Sequence, residues 1–144
     1  MSKSDAAETG LLNLIFKNTD WANIGDAGGL RGSATAGNLW WSLHTADPGD
    51  AGTAVTSEIS YTSYARQACV RGAGFTVTGN SVSPAANVVF PMSTGGTPTA
   101  THFGIVSTAS GAGILLYSGT VTPNIVVSTT VVQTLTTGST VTED

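Results

Sequence analysis

Charge is what this chain has least of. From Gly72 to Thr142 there is no Asp, Glu, Lys or Arg, and His102 is the one side chain in that stretch with an ordinary pKa near neutrality. Acid, base, nucleophilic or metal-assisted catalysis needs ionisable groups gathered closely, so half of the chain lacks the means for it. The expectation is a protein that is not an enzyme and carries no cofactor or metal. Cysteine is nearly absent as well. Cys69 alone excludes an intrachain disulfide and a cysteine metal cluster. Within Ala65-Arg66-Gln67-Ala68-Cys69-Val70 it reads as an inward-facing strand thiol. Basic clusters are missing too. Lys3, Lys17, Arg31, Arg66 and Arg71 are scattered and the formal net charge is -4, which argues against a nucleic-acid partner. No apolar run reaches the roughly 18 residues of a membrane span. The opening MSKSDAAETG lacks the apolar core of a signal peptide, so synthesis in a cytoplasm and no membrane partner are expected.

What is there is Thr, Ser, Gly, Asn and aliphatics. Charged residues make up 10% of the chain, against about 25% in an average soluble protein. A surface of small neutral polar groups can pack against a copy of itself without desolvating charge. The abundance of Val, Ile and Thr argues for a folded β protein and against disorder. At 144 residues a single domain spanning 1–144 is expected.

One segment predicts a helix, about 4–18. Asp5 and Glu8 have capping-box spacing, and Ala7, Leu11, Leu14 and Ile15 share a face that Leu12 and Phe16 widen. A Gly/Ala/Ser-rich stretch over about 20–38 reads as a flexible loop. Its Gly28-Gly29 pair lacks the Gly-Lys-Ser/Thr of a phosphate-binding loop. Then Leu39–Thr45 predicts a strand with Leu39, Trp41 and Leu43 on one side and Trp40, Ser42 and His44 on the other. One tryptophan belongs in the core and the other under the helix or at a contact. Asp47-Pro48-Gly49-Asp50 breaks the strand. Short strands follow near 64–71, 75–78, 81–83, 87–91, 101–107, 113–118 and 126–135. Gly79-Asn80 marks a two-residue hairpin and Ala109–Ala112 another. The tail, about 136–144, reads as exposed or ordered only by a neighbour. Together these predict a mainly β, antiparallel β-sandwich, jelly-roll-like, with one short N-terminal helix.

Candidate sites are few. His44, Asp47 and Asp50 are the only ligand-like constellation in sequence, and turn chemistry accounts for both aspartates. No Gly-x-Ser-x-Gly elbow is present. Arg66 lies in a strand poor in other charges and needs a carboxylate or carbonyls for its five donors; Glu58, Asp47 or Asp50 could serve, and Glu58 with Arg66 is the candidate structural ion pair. The helix face of Leu11, Leu14 and Ile15, with Trp40, is the candidate interface for a homodimer or trimer.

Four segments carry a resemblance: Leu39-Trp40-Trp41-Ser42-Leu43-His44-Thr45-Ala46-Asp47-Pro48-Gly49, Tyr64-Ala65-Arg66, Thr101-His102-Phe103-Gly104-Ile105 and Leu115-Leu116-Tyr117-Ser118-Gly119. In these the chain resembles a family of small tailed-bacteriophage virion proteins commonly labelled tail fibre proteins. The resemblance covers nearly the whole chain. It implies a virion structural role and no cofactor, and it supplies no catalytic residues. No shaft repeat or coiled coil is visible. A head decoration (cement) protein on the outer capsid surface, bound to the major capsid protein and stabilising it, is therefore expected. The alternative is a tail or fibre-associated protein contacting host surface glycans, with Trp40, Tyr61 or Tyr64 stacking on sugars.

Overall fold

The computed structural model describes residues 2–25 and 29–143. Gly28 of the glycine pair and Asp144 of the tail lie outside the described residues. The protein is mainly β, with antiparallel strand pairing and one short N-terminal helix. It forms two compact units interleaved in sequence. One comprises residues 1–38, 69–86 and 137–144, the other 39–68 and 87–136.

The first unit is built on α1, Asp5–Phe16. Ser4, not Asp5, is its N-cap, and the Ser4 hydroxyl accepts from the Ala7 amide at 3.4 Å. Asp5 and Glu8 instead occupy the first turn, where the partial positive charge of the free amides favours acids. The buried face is also narrower than the apolar pattern implies. Leu12 and Phe16 are fully buried and Glu8 is nearly so, a spacing of four that places them on one face. Leu11, Leu14 and Ile15 are only half-buried.

At the far end of α1 one cation, Arg71, takes up carbonyls that the helix leaves unpaired, and a second, Lys17, ties the helix end to the segment that follows Arg71. Arg71 donates to the carbonyls of Leu14 and Ile15, both at 2.6 Å, and Lys17 Nζ donates to those of Gly72 and Phe75 at 2.7 and 2.8 Å. Phe16 meets Phe75 edge-on at 4.9 Å. Phe75 begins an uncharged hairpin: the strands Phe75–Thr78 and Ser81–Pro84 pair from Phe75↔Pro84 to Thr78↔Ser81 around the Gly79-Asn80 turn.

The tail is exposed at Thr136, Thr137, Gly138, Thr140 and Thr142, as expected, but it is ordered by its own chain. Val141–Thr142 forms a third strand, pairing Val82↔Val141 and Ser81↔Thr142, and Val141 and Glu143 are each 8% exposed. Asn80 holds the tail from both sides, its carbonyl accepting from the Glu143 amide at 2.8 Å and its Nδ2 donating to the Glu143 carbonyl at 2.9 Å. Lys3 pairs with the Glu143 carboxylate at 2.9 Å. The loop expected over 20–38 is likewise tied down at its described shoulders. Trp21 and Leu30 exchange backbone hydrogen bonds at 2.8 and 2.9 Å, and the Asn18 side chain bridges both backbone groups of Ser33.

The strands in chain order are β1 Asn38–His44, β2 Gln67–Val70, β3 Phe75–Thr78, β4 Ser81–Pro84, β5 Val88–Val89, β6 Thr99–Val106, β7 Leu115–Val126, β8 Thr134–Leu135 and β9 Val141–Thr142. The largest sheet has the order β2-β1-β6-β7. Strand β6 is antiparallel to both neighbours, with Trp41↔Ile105 and Leu43↔Phe103 on one side and Phe103↔Gly119 and Ile105↔Tyr117 on the other. Trp41 is fully buried and packs on Phe103 with ring centroids 5.4 Å apart, while Trp40 is half-buried. Ser42 and His44, expected on the opposite side of β1 from Trp41, are fully buried too, so this strand is covered on both faces. Strand β7 runs to twelve residues, twice the length expected, and tolerates Pro123 because it lies at the sheet edge. The strand expected over 126–135 shrinks to β8, which pairs with β5.

Candidate functional site

Three places in the structure gather side chains with chemical capacity. The first is Arg66, whose side chain is 2% exposed and whose donors are all spoken for. Its Nε donates to Glu58 Oε1 at 2.6 Å and its Nη2 to Glu58 Oε2 at 2.7 Å, a bidentate pairing that matches the planar fork to the carboxylate. Further bonds reach the carbonyls of Ala54 (3.1 Å), Thr108 (3.0 Å) and Gly111 (2.9 Å). The guanidinium thus clamps the 54–58 segment to the β6–β7 connection. Hydrogen bonding to Glu58 raises the Arg66 pKa, and burial works against that rise. The Tyr64 hydroxyl completes the arrangement, donating to Glu58 Oε1 at 3.0 Å and accepting from the Leu43 amide at 3.1 Å. Burial pushes its pKa up, which keeps it a neutral donor.

The second is His44. Nδ1 lies 2.8 Å from the Thr56 carbonyl, which can only accept, so Nδ1 carries the proton. Nε2 then accepts from the Ser42 hydroxyl at 2.8 Å. A serine beside a histidine has the makings of a nucleophile and its base, but both side chains are wholly buried and a carbonyl stands where a triad has its carboxylate. Burial lowers the His44 pKa, its bond to Thr56 opposing this. Gly104 is what lets the pair fit: a Cβ there would lie 2.7 Å from both Ser42 Oγ and His44 Nε2. Asp47 accepts from the Gly49 amide at 3.0 Å, the turn role expected of it. Asp50 is exposed and His102 bonds its neighbour Thr101. Among the described residues no three of His, Cys, Asp and Glu gather as metal ligands.

The third is a groove of about 570 Å³ in the first unit. One wall is the polar side of α1, where Asp5, Thr9 and Asn13 stand four residues apart. Thr19, Asp20 and Trp21 form the other. Gly10 brings the walls together, since a Cβ at this position would lie 2.4 Å from Cε2 and 2.7 Å from Cδ2 of the Trp21 indole, which therefore rests on bare helix backbone. Asp20 is fixed by the Gly32 amide at 2.8 Å, Asn13 by the Thr9 carbonyl at 3.0 Å and Thr9 by donation to the Gly79 carbonyl at 3.0 Å. Sequence reasoning missed this groove. Trp21 stands beside a Gly/Ala-rich stretch with no strand or helix period, and only folding brings it onto Gly10.

The residues expected at an interface are split. Leu11, Leu14 and Ile15 lie in the first unit and Trp40 in the second, all half-buried. The tyrosines expected to stack on sugars are committed elsewhere. Tyr61 is 8% exposed and donates to the Pro91 carbonyl at 2.8 Å, and Tyr64 is stacked on Phe90.

Comparison places this chain among the structural proteins of phage virions. The chain belongs to the gp80 family, whose model, described as "Podophage GP4 fiber I protein gp80", matches residues 2–142. No curated protein matches it. Among the described residues no helix is long and apolar enough to cross a membrane.

Proposed function

We propose that the chain is a fibre-associated structural component of the phage particle, acting through assembly with copies of itself and not through catalysis. The observation that carries this reading is the match over residues 2–142 to a family described as a fibre protein. The geometry supports it. The bidentate Glu58–Arg66 clamp and the sealed Ser42–His44 pair are spent on holding the fold, and the uncharged stretch from Gly72 to Thr142 offers strand surfaces that can meet a second copy without desolvating ions. Closed symmetry, a dimer or trimer, follows as the expected form. The head-decoration expectation, with the major capsid protein as partner, draws nothing from the family description, which favours the fibre alternative. Antibody labelling of purified particles viewed by electron microscopy tests the reading. Label on fibres is expected; label spread over the head would overturn it in favour of capsid decoration.

A further inference from the structure

The groove between α1 and the 19–21 segment carries polar side chains with hydrogen-bonding capacity to spare. We propose that it binds a neutral saccharide, an inference that rests on the fibre reading for its biological purpose but on the groove for its chemistry. A volume of about 570 Å³ is in the range of small-ligand sites, and the walls join apolar surface, that of Trp21 included, to the polar side chains of Asp5, Asn13 and Asp20. A ligand that suits both presents a C–H face together with hydroxyls.

The acceptors suit that. Asp20 gives one oxygen to the Gly32 amide, which fixes the carboxylate while its remaining lone pairs stay available to hydroxyl donors. Asn13 uses one amide hydrogen on the Thr9 carbonyl and retains the second hydrogen and its side-chain oxygen. Such a row is fixed before the ligand arrives, so binding costs little side-chain entropy. Trp21 supplies the other half of sugar recognition, a rigid aromatic surface for the C–H side of a pyranose, held in place by Gly10 and only half-buried.

Charge selects among saccharides. The groove is lined by Asp5 and Asp20 and by no Lys or Arg, so a uronate, sialic acid, phosphate or nucleic acid meets repulsion with nothing to offset it. A cation is a poorer candidate than a polyol, since no three carboxylate, histidine or cysteine ligands gather here among the described residues. One groove per chain would bind weakly, and copies in an assembly would multiply the effect.

The test is titration of the purified full chain with a panel of neutral and uronate-containing oligosaccharides, followed by tryptophan emission and by calorimetry. At least one neutral oligosaccharide should bind saturably, and the uronates should not. Asn13→Ala and Asp5→Ala should each weaken that binding by about tenfold, the worth of one hydrogen bond, with the chain still folded. Trp21→Phe should remove the emission change. Absence of neutral-sugar binding at millimolar concentration, equal binding of uronates, or unaltered affinity in both polar variants would each overturn the proposal. Label on the fibres without sugar binding would sink the groove and leave the fibre reading standing. Sugar binding with label on the head would do the reverse.

Discussion

Arg66 and Glu58 are joined twice, Nε to Oε1 at 2.6 Å and Nη2 to Oε2 at 2.7 Å, with the arginine side chain almost wholly out of water. Removing the carboxylate would leave a buried cation facing only neutral oxygens, three carbonyls and the Thr108 hydroxyl. Glu58→Ala is therefore expected to cost about 3–5 kcal/mol of stability, the usual penalty for breaking a buried pair by one partner. Urea unfolding measures it. Raising the salt concentration should change the parent protein's midpoint little, because screening acts weakly on buried charges. A loss under 1 kcal/mol would mean that Tyr64 and the carbonyls hold the loop without the ion pair.

Stability should fall on acidification through His44. Burial holds its folded pKa below the 6.5 of an unperturbed imidazole, which stands for the unfolded chain. The unfolded state thus binds the proton more readily, and stability is complete above about pH 6.5 and declines as the pH drops below it toward the folded value. His44→Asn, whose Nδ2 can still donate to Thr56, should flatten this part of the profile. Parallel pH profiles of variant and parent would refute the assignment.

Gly104→Ala should destabilise by about 1–3 kcal/mol, as overpacking does in a dense core. The new methyl would lie 2.7 Å from Ser42 Oγ and His44 Nε2, neither of which has room to retreat on a strand covered on both faces. Thermal unfolding reads the effect. An unchanged midpoint would show that the Ser42–His44 bond is dispensable.

Leu12 and Leu14 should separate folding from assembly. Leu12 is fully buried, and Leu12→Ala is expected to cost about 2–5 kcal/mol. Leu14 is half-buried, so Leu14→Asp should leave a folded chain whose self-association is weakened, measured by sedimentation. A folded variant that assembles like the parent would remove the helix face from the proposed contact.

Much of the fold is legible in single stretches. The Phe75–Thr78 strand and its Gly79-Asn80 turn are found where alternation and turn chemistry place them. The need of Arg66 for a carboxylate can be read from its isolation among neutral residues, although which carboxylate meets it depends on the 54–58 segment folding back. The length of β7 was not legible, because Pro123 argues against a strand unless that strand is known to lie at an edge. The docking of Val141 and Glu143 was hidden for a similar reason. A two-residue strand has no measurable period, and its partner, β4, is some sixty residues away.

What the sequence determined alone was composition and local pattern: few charges, one cysteine, β-branched residues in strand pattern and a single predicted helix. Such properties depend on residue type and short spacing, which folding cannot alter. Tertiary structure decided which polar groups are sealed and which remain open. Ser42 and His44 are sealed by β6 crossing them at Gly104, while Asp20 and Trp21 are carried to the side of α1 at Gly10. Burial is a property of neighbours brought from far along the chain, and no local pattern carries it.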